Sequence, residues 1–221
     1  MRKLMLVFMT VVMYAVLVGC TSKTDFSYAP VQAYESANTM VYNSNINKVW
    51  DAAIKSIGEK FFVLDNIQKD SKIITLSYSV SDPAAYIDCG QVTAETKGAS
   101  NSGTYTYQGA QAEAVYYIGD PNIPHPQPVR RTARLEGKVN IIFVEEGKDK
   151  TKVTVNTRYV MSVKFESRRW VPAGYFMPVS ESRNVTFNTG QEGVGEGGSN
   201  LRCVTKYTLE KSILEGIKDK L

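Results

Sequence analysis

Two apolar periods divide this chain, and each predicts a different element. In NSNINKVWDAAIKSIGEK, Ile46, Val49, Trp50, Ala53, Ile54 and Ile57 recur at steps of three and four. That is one face of an amphipathic helix, with Ser44 or Asn45 as N-cap and Gly58 near its end. Leu209, Ile213, Leu214, Ile217 and Leu221 form a second stripe and predict a closing helix. Between the helices the period falls to two. FFVLDNI and KIITLSYSV, parted by the turn-like QKDS, predict two strands. ARLEGKVNIIFVEE, the turn GKDK and TKVTVNTRYVMSVKF predict a long hairpin. Its second arm puts Val153, Val155, Thr157, Tyr159, Met161, Val163 and Phe165 on one face. The short strand RNVTFN then precedes the glycine-rich TGQEGVGEGGSN.

Two stretches break these patterns. Residues 81–133 are rich in Gly, Pro, Ser, Thr and Tyr and read as a long irregular insert, with GTYTYQG and AVYYIG as possible short strands. Residues 20–36 are polar, contain Pro30 and lack a sustained period, so they read as a flexible tether. The element order predicts an α+β domain over residues 37–221: an antiparallel sheet with the N- and C-terminal helices packed on one face, helix-grip-like, interrupted by the insert.

The first twenty residues, MRKLMLVFMTVVMYAVLVGC, carry the strongest signal for location. Arg2 and Lys3 precede an uncharged run from Leu4 to Val18, apolar except for Thr10. As a helix this run spans roughly 23 Å, short of the ~30 Å hydrocarbon core. It suits the apolar region of a signal peptide better than a membrane span. The run ends in Leu17-Val18-Gly19-Cys20, which resembles the bacterial lipobox. The resemblance implies that residues 1–19 are a removed signal peptide, that the Cys20 sulfur is diacylated and that the new amino terminus is acylated too. One acyl chain binds a membrane marginally, whereas two or more anchor stably. Thr21, in place of an aspartate, leans toward the outer membrane by the same resemblance. In architecture and anchor, residues 20–80 and 134–221 resemble the BamC-like helix-grip lipoproteins. Tyr86–Gly90 (YIDCG) and the ending from Cys203 to Leu214 are similar to uncharacterised envelope lipoproteins, which implies location and no activity.

Composition adds bounds on partners. Loss of Arg2 and Lys3 leaves 24 basic against 22 acidic residues, a net charge of +2, so no nucleic-acid partner is implied. With Cys20 lipidated, Cys89 and Cys203 remain as a pair 114 positions apart. An oxidising periplasm would join them as a disulfide, the alternative being two buried thiols. The lone His125 lies between Pro124 and Pro126 in IPHPQP. A Cys89–His125 pair would suit a cell-wall hydrolase but conflicts with the disulfide, and catalysis needs an oriented base. One histidine and two distant cysteines are too few soft ligands for a metal site, and no cofactor is expected. GVGEGG at 193–198 matches a dinucleotide fingerprint by letters only, since Glu192 and Glu196 would repel a pyrophosphate. Arg168, Arg169 and Trp170, and the tyrosines of the insert, Tyr116 and Tyr117 among them, have the composition of contact residues. The expected function is an outer-membrane lipoprotein facing the periplasm, with a non-enzymatic domain that binds another envelope protein as an assembly accessory. A carrier of lipid or of a small apolar ligand is the alternative, and the Cys-dependent hydrolase a third.

Overall fold

A computed structural model describes residues 21–60, 62–195 and 201–221. The expected signal peptide and Cys20 lie outside them. In chain order the elements are β1 (Lys23–Ala29), β2 (Thr39–Tyr42), α1 (Ile46–Gly58), β3 (Val63–Gln68), β4 (Ile73–Val80) and, after a turn of 3-10 helix at Pro83–Ala85, β5 (Ile87–Asp88) and β6 (Gln91–Lys97). They continue as β7 (Gly103–Gln108), β8 (Glu113–Asp120), β9 (Ile123–Glu145), β10 (Thr151–Val171) and β11 (Tyr175–Asn188), then β12 (Gly193–Val194), β13 (Arg202–Thr205) and α2 (Thr208–Lys218).

The expected α+β helix-grip fold is overturned. Strand accounts for 57% of the described residues and helix for 14%, in several antiparallel sheets. The largest sheet runs β11-β10-β9-β4-β3, with β2 added to β10 and β8 added to β9. A second sheet runs β1-β6-β7, and a third, of very short strands, β12-β13-β5. The insert is therefore ordered strand. GTYTYQ is β7 and pairs with β6, while AVYYIG lies in β8 and pairs with β9. Residues 23–29 are no free tether either, because β1 pairs with β6 from Lys23↔Lys97 to Ala29↔Gln91.

The two long strands β9 and β10 organise the molecule. Their proximal halves carry one dense core. Val153, Val155, Tyr159 and Met161 of β10 and Leu135, Val139 and Ile141 of β9 are all fully buried. They face Val49, Ala53 and Ile57 of α1 and Leu209, Ile213, Leu214 and Ile217 of α2 within that core. Asn45 caps α1, its side chain accepting from the Lys48 amide at 3.1 Å. Gly137 sits in the sheet beneath two rings. It pairs with Tyr78 on one side and Tyr159 on the other, whose ring centroids lie 6.2 Å apart. A Cβ there would collide with the Arg158 carbonyl oxygen.

The distal halves part. The β9–β10 pairing ends at Arg130↔Glu166, while β10–β11 continues to Val171↔Tyr175 and β8–β9 to Asp120↔Ile123. Pro124, Pro126 and Pro128 remove three amide donors from β9 beyond that point, so the ladder to β10 cannot continue through them. The sheet becomes a fork of two hairpins, and the small β1-β6-β7 sheet packs on the β8–β9 arm. Ala94, Tyr116 and Val129 form a separate small core there.

Candidate functional site: the cleft in the fork

The fork encloses a cleft of about 900 Å³. Its walls come from strand parity. On β10 the face that carries Tyr159 and Met161 in the core continues as Val163, Phe165 and Ser167, now facing the cleft. Val179, Arg183 and Val185 face it from β11, Val129 and Arg131 from β9, and Tyr116 and Ile118 from β8. Phe26 and Tyr28 of β1 close it from above. The same face is thus filled by helices at one end and left open at the other.

Aromatic rings line this space in ordered contacts. Tyr116 stacks on Tyr107 at 5.4 Å between centroids and meets the edge of Phe26 at 6.0 Å. Phe26 is nonetheless 56% exposed, because its outer side faces the open cleft. Burial raises the Tyr116 phenol well above its ordinary value, so it stays neutral.

Arg131 is the unusual residue of the site. Only 2% of it is exposed, and it occupies a position where strand alternation, Val129, Ala133 and Leu135, calls for an apolar side chain. Its Nη1 donates to the Gln111 carbonyl at 2.8 Å and its Nη2 to the Gly109 carbonyl. Its guanidinium lies 5.5 Å from the Tyr107 ring centroid. Neutral carbonyls and a ring face hold this cation, and among the described residues no carboxylate forms an ion pair with it. Burial lowers its pKa, the direction expected when charge is withdrawn from water. A buried cation without a counter-charge attracts an anion. Arg168, Arg169 and Arg183 share the cleft with Asp120 and Glu181, and Glu181 is 3.4 Å from Arg183. Positive charge therefore predominates along the walls.

The residues expected to make contacts are divided by this geometry. Arg168, Arg169 and Trp170 line the mouth of the cleft, and Tyr116 is buried in its wall. Tyr117 points to the opposite face of β8 and packs near Tyr105, with ring centroids 5.7 Å apart. Cys89 and Cys203 form a disulfide, both fully buried, between β5 and β13. The Cys89 sulfur is therefore no nucleophile, and the cysteine-hydrolase reading goes no further. His125 is exposed, its Nδ1 3.0 Å from Ser100 Oγ. No group of three His, Cys, Asp or Glu side chains among the described residues is placed to hold a metal. Sequence reasoning missed Arg131, Phe26 and Phe165. The first had a signal, an arginine at an apolar parity; the other two depend on which sheets meet. Compared with known proteins, the chain matches no protein family, no curated protein sequence and no solved structure.

Proposed function

We propose that this chain is a bacterial lipoprotein, acylated at Cys20 and anchored to the outer membrane facing the periplasm. In this reading its folded domain is a non-enzymatic binding module that engages another envelope component. The observation that supports a binding role is the cleft, whose size and aromatic walls with a few convergent polar groups suit a ligand site. A photoreactive amino acid at Tyr116, in the cleft wall, tests it in living cells. Adducts that disappear when Arg131 is changed to Gln are expected, and labelling that ignores Arg131 refutes a specific site. The mass of full-length protein extracted from membranes tests the anchor, since it should show a shortened, acylated chain that Cys20→Ser abolishes.

One observation favours the carrier as a second reading. The space between the sheet and α2 is filled by buried side chains, but the fork cleft is open and apolar, with Arg131 at one wall. An amphiphile with an anionic head and an apolar body complements both features. Solvent extraction of the purified protein, followed by mass spectrometry, should then recover such a molecule from wild type and several-fold less from Arg131→Gln.

A further inference from the structure

The chain enters the fold at the open end of the fork. Ser22 is 1% exposed, and its hydroxyl donates to the Ile123 carbonyl at 2.8 Å and accepts from the Asp120 amide at 2.9 Å. Thr24 Oγ1 accepts from the Gly119 amide at 2.8 Å. Cys20 precedes Ser22 by two residues, a path of about 7 Å at most. Ser22 and Thr24 are thus fixed beside the turn that joins β8 to β9, two and four residues after the proposed anchor.

The same end of the molecule carries the tip of the β10–β11 hairpin. Its last pair is Val171↔Tyr175, so Trp170, Tyr175, Phe176 and Met177 cluster at the extremity. Tyr175 is 55% exposed, Met177 45% and Phe176 39%, and the Trp170 and Phe176 rings meet edge-on at 5.1 Å. Arg168 and Arg169, both exposed, stand directly behind them. Across the mouth the carboxylate of Asp120 is occupied by the amide and side chain of Asn122, each at 2.8 Å.

We propose that this end docks on an acidic phospholipid bilayer, with the Trp170–Met177 tip inserted at headgroup level and Arg168 and Arg169 on lipid phosphates. Tryptophan and tyrosine rings suit the membrane–water interface, and guanidinium groups pair with phosphate. The orientation rests on the proposed anchor at Cys20; the chemistry of the tip does not. Docking would turn the mouth of the cleft toward the bilayer, which gives an amphiphile a path between the two.

The full-length protein, extracted from membranes and reconstituted into phosphatidylglycerol–phosphatidylcholine vesicles with brominated acyl chains, provides the test. The sequence has two tryptophans, and Trp50, at 4% exposure in the core, supplies a constant background. Bromine should quench the Trp170 signal, identified by difference from Trp170→Phe, by at least twofold. Tyr175→Ser combined with Phe176→Ser should restore it while the protein stays with the vesicles. Unquenched Trp170 in a chain whose mass shows acylated Cys20 overturns docking and leaves the anchor standing. Quenching in a chain with unmodified Cys20 supports docking and overturns the anchor. A photoreactive group at position 176 that captures protein instead of lipid in cells also overturns the proposal.

Discussion

Removing the Cys89–Cys203 disulfide should cost this protein a large part of its stability. The bridge closes a loop over 114 positions and joins the residue just after β5, on the way into the small sheet, to β13, which leads into α2. In the chain-entropy treatment a loop of that length restricts the unfolded state by about 5 kcal/mol at room temperature. Typical stabilities are roughly 5–15 kcal/mol, so the loss approaches the whole margin of a weakly stable domain. Both sulfurs are fully buried, so truncation also removes packing, including the Cys89 sulfur contact with Met161 Sδ at 3.9 Å. The perturbation is Cys89→Ala with Cys203→Ala, compared with wild type by urea unfolding under non-reducing conditions. The midpoint should fall by an amount corresponding to about 4–6 kcal/mol, and Tm by roughly 10–20 °C for a domain of this size. The denaturant slope should rise as well, because an uncrosslinked chain exposes more surface. A loss below about 1 kcal/mol with an unchanged slope would refute the reasoning.

Three further outcomes follow from the core. Burial raises the phenols of Tyr42, Tyr78 and Tyr159 far above their ordinary value of 10.0, and that of Tyr116 likewise. A raised folded-state pKa gives stability that is complete below pH 10 and is lost as pH climbs toward the folded value. Unfolding above pH 10 should therefore release up to one proton per buried tyrosine, about 1.4 kcal/mol per pH unit each, and phenolate absorbance should show a late cooperative step. Glu210 is fully buried and accepts from the Tyr159 hydroxyl at 2.8 Å and the Thr189 hydroxyl at 2.7 Å. Glu210→Ala takes the carboxylate acceptor from both hydroxyls, leaving Tyr159 with Thr205 Oγ1 at 3.0 Å and Thr189 with the Thr157 carbonyl at 3.3 Å, and should cost about 2 kcal/mol in thermal or urea unfolding, with Glu210→Gln, which keeps an acceptor, losing visibly less. Gly137→Ala places a Cβ on the Arg158 carbonyl oxygen and should destabilise by about 2 kcal/mol or more, whereas Gly147→Ala, with open space around it, should show only the smaller effect of its positive φ.

Both helices and the long β9–β10 hairpin were legible because their instructions are local. The apolar stripes of Val49, Ala53 and Ile57 and of Leu209, Ile213 and Ile217 repeat at the helical period, and Val153 to Phe165 alternate as a strand must. Of the small sheet only β7 was foreshadowed, by GTYTYQG, while β1 and β6 were not legible. In β6 and β7, Thr93 faces Thr106 and Glu95 faces Thr104, side chains that a polar loop would also carry. What makes them strands is hydrogen bonding to partners elsewhere, β1 above all, whose pairing with β6 joins positions more than sixty residues apart. The same blindness made residues 21–36 read as a tether. Only the fold shows Ser22 fixed beside Asp120 and Ile123.

The prolines of IPHPQP illustrate the division. By composition they argue for a loop, and the chain nevertheless extends there as β9, laddered to β8, with the Pro124 carbonyl also accepting from the Ala99 amide at 2.7 Å. The missing amides end the ladder to β10, and the fork opens where it ends. The amino-acid sequence by itself determined the helix faces and the parity of the long strands, since each depends on residues near in the chain. The tertiary structure decided the cleft, the buried Arg131 within it and the gathering of chain entry and aromatic tip at one end. Those arise from pairings between distant strands, whose free energy is shared among partners that no local pattern records.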